Sequence, residues 1–303
     1  MRSQAILALA VLAAACSSPP EHQSEAADPH TGHAMEMSGA AIAGPMSTQQ
    51  GTPGIPAGAA DAAARLAAST RHSEWVKVAW EPGSSDSLMA WVVYPEVKKK
   101  APVVVVIHEI FGLSTWVRGV ADQLAADGYI AIAPDLLSRV RGGPSADELR
   151  SDSATKLIRG VTVAEMNKGV AAVANYGMSL PAAQKKYGVV GYCWGGSASF
   201  NHAVFNNKGL AAAVVYYGTS PARDSMPRIQ APVLGLYGGN DARVNATIGW
   251  ADTTMKALNK SYTYRIFDGA GHGFLRAQDQ PANLEAAKKA WPQTIAFFRQ
   301  HLH

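Results

Sequence analysis

A chain of 303 residues that is 48% hydrophobic and 17% charged can bury a substantial core, which excludes wholesale disorder and leaves space for one catalytic-size domain plus extra sequence. The formal charge of +4 is mild, and the basic residues are dispersed apart from Lys98-Lys99-Lys100, so the electrostatic footprint of a nucleic-acid binder is missing. That lysine run reads as a solvated turn between strands.

Arg2 is followed by an apolar run over residues 5–15, far short of the roughly 20 residues that span a membrane. A charged start, an apolar stretch and small residues before a break form the layout of an export signal. Ala13-Ala14-Ala15-Cys16 resembles a bacterial lipobox, in which the cysteine is the lipid attachment site, although Leu12 lies one place too early for that pattern. Ordinary cleavage near the same point is the other reading. Residues 1–16 are therefore read as a signal peptide, and the protein as exported: periplasmic, or held at a bacterial membrane through lipid on Cys16. Cys193 is then the one thiol left in the mature chain, with no intramolecular disulfide open to it, and a lone thiol in an oxidising compartment points to a reactive role.

No aromatic residue precedes Trp75. Aromatics supply much of a core's buried area, so residues 17–73 are expected to form a flexible, low-complexity tether outside the folded domain, with one short Ala-rich helix near residues 61–68. His22, His30, His33, Met35 and Met37 stand close together there, and imidazole with thioether suits copper, but their spacing matches no fixed metal motif.

The folded domain is expected over residues 74–303. Residues 74–80 alternate apolar and polar, residues 82–86 supply turn formers, and residues 88–94 form a second strand, so an antiparallel hairpin opens it. Residues 103–107 are an unbroken β-branched run, the pattern of a strand buried on both faces of a parallel sheet. Ser114 is placed to cap a helix through about Ala126, with Gly128 just past its end. Strands follow over 129–133, 187–190, 210–216, 233–237 and 262–267. Helices lie between them near 161–176 and 197–205, with a last one over about 281–301 broken near Pro292. Strands alternating with helices predict an α/β fold: a mostly parallel central sheet with helices on both faces.

The chemistry centres on Gly191-Tyr192-Cys193-Trp194-Gly195-Gly196, which follows a short buried strand and precedes a helix. Strand, glycine-rich turn and helix is the context of a nucleophile elbow. The helix aims its free N–H groups at Cys193, and both that dipole and the tight turn are expected to favour a thiolate. A buried structural cysteine is the competing reading. A nucleophilic thiol needs a base and a group to orient it. His272, in the glycine-lined loop after the last strand, is the preferred base over His108 and His202. Asp241, directly after the 233–237 strand, is the preferred acid, with Asp268 in reserve. Both preferred residues belong to the C-terminal edge of the sheet, where open α/β sheets bind ligands. The order Cys193, Asp241, His272 is nucleophile, acid, histidine, the chain order of α/β-hydrolases.

From Trp75 to the C-terminus the sequence resembles the dienelactone hydrolase family. The matching pieces are His108-Glu109-Ile110-Phe111-Gly112, Ala133-Pro134-Asp135-Leu136, the elbow itself, Gly238-Gly239-Asn240-Asp241 and Gly271-His272-Gly273-Phe274. The resemblance implies an α/β-hydrolase fold, a Cys-Asp-His triad, Glu109 in contact with the resting thiol, and an oxyanion hole from the backbone N–H groups of Ile110 and Trp194. It also implies that Arg276 binds a substrate carboxylate. The second arginine of that pair is Arg150 or Arg159, in a segment that aligns poorly.

These features predict a cofactor-independent hydrolase of small esters or lactones that needs no metal. The partner is the small-molecule substrate, with no nucleic acid and no membrane contact beyond a lipid anchor. Oligomeric state is not readable from the sequence. The rivals are a broader carboxylesterase or thioesterase on the same site, and a metal-handling lipoprotein working through its His/Met tract.

Overall fold

The computed structural model describes residues 51–143 and 151–303. The signal peptide, Cys16, the His/Met tract and Arg150 lie outside the described residues. One sheet contains β1 (Ser73–Ala79), β2 (Ser87–Val93), β3 (Ala101–Ile107), β4 (Ile130–Asp135), β5 (Ala183–Tyr192), β6 (Leu210–Tyr216), β7 (Val233–Asn240) and β8 (Tyr262–Gly271). Their spatial order is β1-β2-β4-β3-β5-β6-β7-β8. The opening hairpin and the β2–β4 pairing are antiparallel, and every later pairing is parallel. The helices are α1 (Ala62–Ala67), α2 (Thr115–Ala126), α3 (Ser138–Arg141), α4 (Ser151–Ile158), α5 (Val163–Ser179), α6 (Trp194–Val204), α7 (Ala242–Asn245), α8 (Ile248–Ala257) and α9 (Pro281–Leu302).

The β-branched run of β3 explains the layering. Val104 and Val106 face a core shared with α2 and α9, whereas Val103, Val105 and Ile107 face one shared with α5, α6 and α8. A strand with both faces covered by helices has no polar side to display, which is why its sequence does not alternate. This is the expected mostly parallel α/β sheet.

Local signals place the helices. α5 begins at a capping box: Thr162 Oγ1 accepts from the Glu165 N–H at 3.2 Å, and Glu165 Oε2 accepts from the Thr162 N–H at 3.0 Å. Ser114 does occupy the N-cap position of α2, but its side chain makes no capping bond. β5 runs further than its apolar centre because the ladder with β3 extends back to an Ala101–Ala183 pairing.

Two expectations are corrected. α9 passes through Pro292 unbroken. Pro292 and Lys288, whose carbonyl loses its usual N–H partner there, are both on the exposed face where water can serve, while Trp291, Ile295 and Phe298 are buried on the other. Residues 51–73, expected to belong to a tether, are instead packed on the domain. Ile55, Ala57 and Ala62 are buried, and α1 lies against α2. Composition misleads here because small aliphatic side chains fill a groove made by other elements, and burying one isoleucine is worth about 1.5–3 kcal/mol without any aromatic.

Candidate active site

β5 ends at Tyr192 and α6 starts at Trp194, so Cys193 alone makes the turn, at φ 57° and ψ −115°. A side chain rarely adopts that backbone, and it persists where the surroundings over-determine it. Here they do. A Cβ added at Gly191 would lie 1.8 Å from the Gly195 oxygen, and one at Gly196 would lie 2.3 Å from the Tyr216 oxygen. The Cys193 N–H donates to Tyr216 O at 3.1 Å, and Cys193 O accepts from the Ser197 N–H at 3.2 Å.

The elbow does not leave a thiolate at rest. Burial, seconded by the charge of Glu109, pushes the Cys193 thiol up to about 11, and the Trp194 N–H bonded to the sulfur and the nearby Arg243 offset only part of that. The expectation drawn from the helix dipole is thus overturned by desolvation.

Strand register assembles the other side of the site. Asn240 of β7 pairs with Gly271 of β8, so the next residues in each chain, Asp241 and His272, emerge side by side. His272 Nδ1 lies 2.6 Å from Asp241 Oδ2 and donates to it. Asp241 is buried, and its other oxygen caps α7 by accepting from the Val244 N–H at 3.4 Å, which fixes the carboxylate. The reserve acid Asp268 is exposed on β8. His108 and His202 are buried and satisfied locally. His108 Nε2 accepts from the Leu136 N–H and its Nδ1 donates to Glu109 O, while His202 Nε2 meets the Tyr187 hydroxyl at 2.7 Å. Burial holds His202 down to about 3, so it stays neutral.

Ile107 of β3 pairs with Gly191 of β5, which puts Glu109 and Cys193 each two residues beyond a matched position at the same sheet edge. Glu109 is buried. Arg276 Nε lies 3.3 Å from its Oε2, near enough for an ion pair but misaligned for a hydrogen bond, and that oxygen has no hydrogen-bond partner. Burial, only partly countered by Arg276, pushes Glu109 up to about 7. The Arg276 guanidinium also lies over the Phe111 ring, 5.0 Å from its centre. Ile110 and Trp194 pack under a small cluster of Leu137, Ala154 and Ile158, so α4 roofs the two residues whose N–H groups were expected to bind an oxyanion.

The sequence profile of the Dienelactone hydrolase family matches residues 88–302, which spans this site and the sheet from β2 to β8. The chain belongs to the dienelactone hydrolase family. It is 31% identical over 267 residues to a putative carboxymethylenebutenolidase of Salmonella typhimurium, covering 81% of this chain and 96% of that one. It is 32% identical over 209 residues to a carboxymethylenebutenolidase of Pseudomonas putida, covering 66% of this chain and 86% of that one. Among solved structures, a putative dienelactone hydrolase from Klebsiella pneumoniae superposes with a TM-score of 0.63 at 28% identity, covering 76% of this chain and all of that one. Like its family, the chain is a hydrolase acting on ester bonds in an α/β-hydrolase fold.

Two residues of this dienelactone hydrolase-like site escape sequence reasoning. Tyr217, at φ 40°, puts its ring edge-on to His272 at 5.2 Å between centres. Its hydroxyl and that of Tyr192 are buried without a hydrogen-bond partner among the described residues, and burial, with the charge of Glu109 added to it, raises the pKa of both. The available signal was positional: Tyr217 directly follows β6, at the same edge as the other strand-end residues. The candidate substrate arginines are dispersed, since Arg276 is paired with Glu109, Arg159 is exposed at the end of α4, and Arg150 is not described. No group of three or more His, Cys, Asp or Glu is gathered as a metal site among the described residues.

Proposed function

We propose that the protein hydrolyses small carboxylic esters or lactones through Cys193, with His272 moving protons and Asp241 holding the imidazole. The observation that carries this reading is the 2.6 Å pair of the buried Asp241 with the solvent-reachable His272, at the sheet edge where the strained elbow presents Cys193. Because the thiol is pushed up to about 11, it needs a base at the moment of attack. Glu109, pushed up to about 7, is poised to give and take a proton near neutral pH.

In this mechanism the sulfur–carbon bond forms as the thiol proton passes to the Glu109 carboxylate. The tetrahedral oxyanion is received by the N–H groups of Ile110 and Trp194, each worth roughly 3–4 kcal/mol of transition-state stabilisation. Collapse breaks the carbon–oxygen bond, and the leaving oxygen takes the proton that came from the thiol, handed on from Glu109 through His272, whose transient imidazolium Asp241 stabilises. A water then gives a proton to His272 and its oxygen to the acyl carbon. The departing thiolate takes that proton from His272, which leaves Glu109 ionised and His272 neutral as at the start. These steps use no cofactor.

The test is a hydrolysis screen over lactones and aryl esters on wild type and Cys193→Ala in parallel. Turnover by the wild type that disappears in the variant supports the reading; equal turnover in both refutes it. The proposal extends to location: an export signal ending at Cys16 makes the enzyme periplasmic or lipid-anchored, and an unmodified, uncleaved N-terminus on intact-mass analysis of the native protein would contradict that.

A further inference from the structure

The stretch ahead of β1 reaches the catalytic mouth. The Ala59 N–H donates to the Arg276 carbonyl at 2.8 Å, and Gln278 Nε2 donates to the Pro56 carbonyl at 2.9 Å. Gly58 fits so closely against this turn that an added Cβ would lie 3.0 Å from Gln278 Cβ and 3.2 Å from the Arg276 oxygen. The same stretch is fastened to the body of the domain. Trp116 Nε1 donates to Ala57 O at 3.1 Å, Arg65 Nη1 to Thr52 O at 3.0 Å, and Ile55 and Ala57 are buried. Between this strap and the turn that follows Arg276 lies a cleft of about 760 Å³.

We propose that residues 51–60 are a positioning element of the active site: by fixing the backbone of the 275–278 turn, they hold the Arg276 guanidinium against Glu109 and Phe111. The inference rests on the reading of Glu109 as the base. Arg276 is a long side chain, 40% exposed and joined to Glu109 by one unaligned 3.3 Å contact. Nothing about that contact locks the guanidinium in place, so the position of the turn decides whether the charge stays near the carboxylate. The strap pins the turn at the carbonyl of Arg276 itself and again two residues later. It lies upstream of the residues that the family profile covers.

The groups that face Glu109 are Arg276, the Cys193 thiol and the Tyr192 and Tyr217 hydroxyls. The last three are all raised by burial and stay neutral through pH 5–9, so a shift in Glu109's titration over that range reads Arg276. The experiment uses full-length Gly58→Val and Gln278→Ala, alone and combined with Arg276→Ala. It records kcat/KM for an aryl ester from pH 5 to 9, together with the melting temperature. In the wild-type background each strap variant is expected to lower kcat/KM at pH 7 by about tenfold and to move the acid limb of the profile up by about one unit as Glu109 loses its counter-charge. In the Arg276→Ala background the same changes should add less than about twofold, because the group they position is gone.

Equal, multiplicative losses in both backgrounds overturn the proposal, as does an unshifted acid limb in a variant that melts normally. Should Gly58→Val fail to fold, Gln278→Ala carries the same two readouts without disturbing the backbone. Failure of the underlying reading looks different: it appears as wild-type activity in Glu109→Gln, whatever the double-mutant comparison gives.

Discussion

The two sides of the catalytic mouth are built by different means. On one side Cys193, Asp241, His272 and Glu109 all sit within two residues of a paired strand position, so the parallel ladder itself sets where they emerge. On the other side the strap and α4 have no ladder. They are held by individual contacts, such as the Ala59 N–H on the Arg276 carbonyl, Trp116 on Ala57, and the packing of Ala154 and Ile158 with Leu137. The first kind of placement is inherited from the fold and tolerates sequence drift in the helices. The second depends on individual contacts and is free to differ between relatives of one family, which makes it the natural place for specificity to be set.

The ladder side is broken most severely at Cys193, the proposed nucleophile. Cys193→Ala should lower kcat/KM by about 10⁴-fold or more while the cooperative melt is kept, since a residue acting in a catalytic unit costs nearly the whole unit when removed. Alkylation of the wild type should inactivate in proportion to modification at Cys193, and full activity after complete alkylation would end the thiol mechanism. Asp241→Asn comes next. An amide can still accept from the Val244 N–H and cap α7, but it cannot hold the imidazole in the same protonation pattern. The expected loss is about 10³–10⁴-fold in kcat, with little change in melting temperature.

Sequence made the ladder side legible because each element there announces itself locally. The unbroken valines of β3, the glycines at 191, 195 and 196, and a histidine between glycines after the last strand are all short-range signals. The strap was illegible for a physical reason: Ile55 and Ala62 are buried in the core that holds α2 and α9, elements far away in the chain, and no local period marks them. The resting thiol misled for a related reason. A helix N-terminus is visible in sequence, whereas the burial that outweighs it is a property of the packed site. Tyr217 was missed because only the positive φ after β6 turns its ring onto His272.

Glu109 joins the two sides, and its titration sharpens the comparison. The ordinary value is 4.5 and the folded value about 7, raised mainly by burial. In the proposed mechanism the ionised form is the base, so kcat/KM should climb as pH rises through about 7, and Glu109→Gln should flatten that limb while lowering the plateau by about 10²–10⁴-fold. Stability has the opposite sign. A group whose folded pKa is raised favours the fold fully below about pH 4.5, and that contribution is lost as pH rises through about 7. Glu109→Gln should therefore match the wild type near pH 4 and exceed it above pH 7, by on the order of 2–3 kcal/mol. Denaturant midpoints at the two pH values measure this. Equal midpoints for variant and wild type at pH 8 would show that the carboxylate carries no burial penalty.

The smallest effect tests whether the strap belongs to the domain. Ile55 is 4% exposed in the core that holds α2 and α9, whereas Val97 is 50% exposed in the loop before β3. Truncating a buried isoleucine to alanine ordinarily costs about 2–5 kcal/mol, but a strap can detach while the sheet stays folded, and its own docking energy then sets the ceiling on the loss. Ile55→Ala should accordingly lower the unfolding free energy by about 1–3 kcal/mol, against less than about 0.5 for Val97→Ala. Urea titrations followed by tryptophan fluorescence read both. Indistinguishable losses in the two variants would mean that residues 51–60 behave as a tether in solution, and the dependence of Arg276 on them would fall with that result.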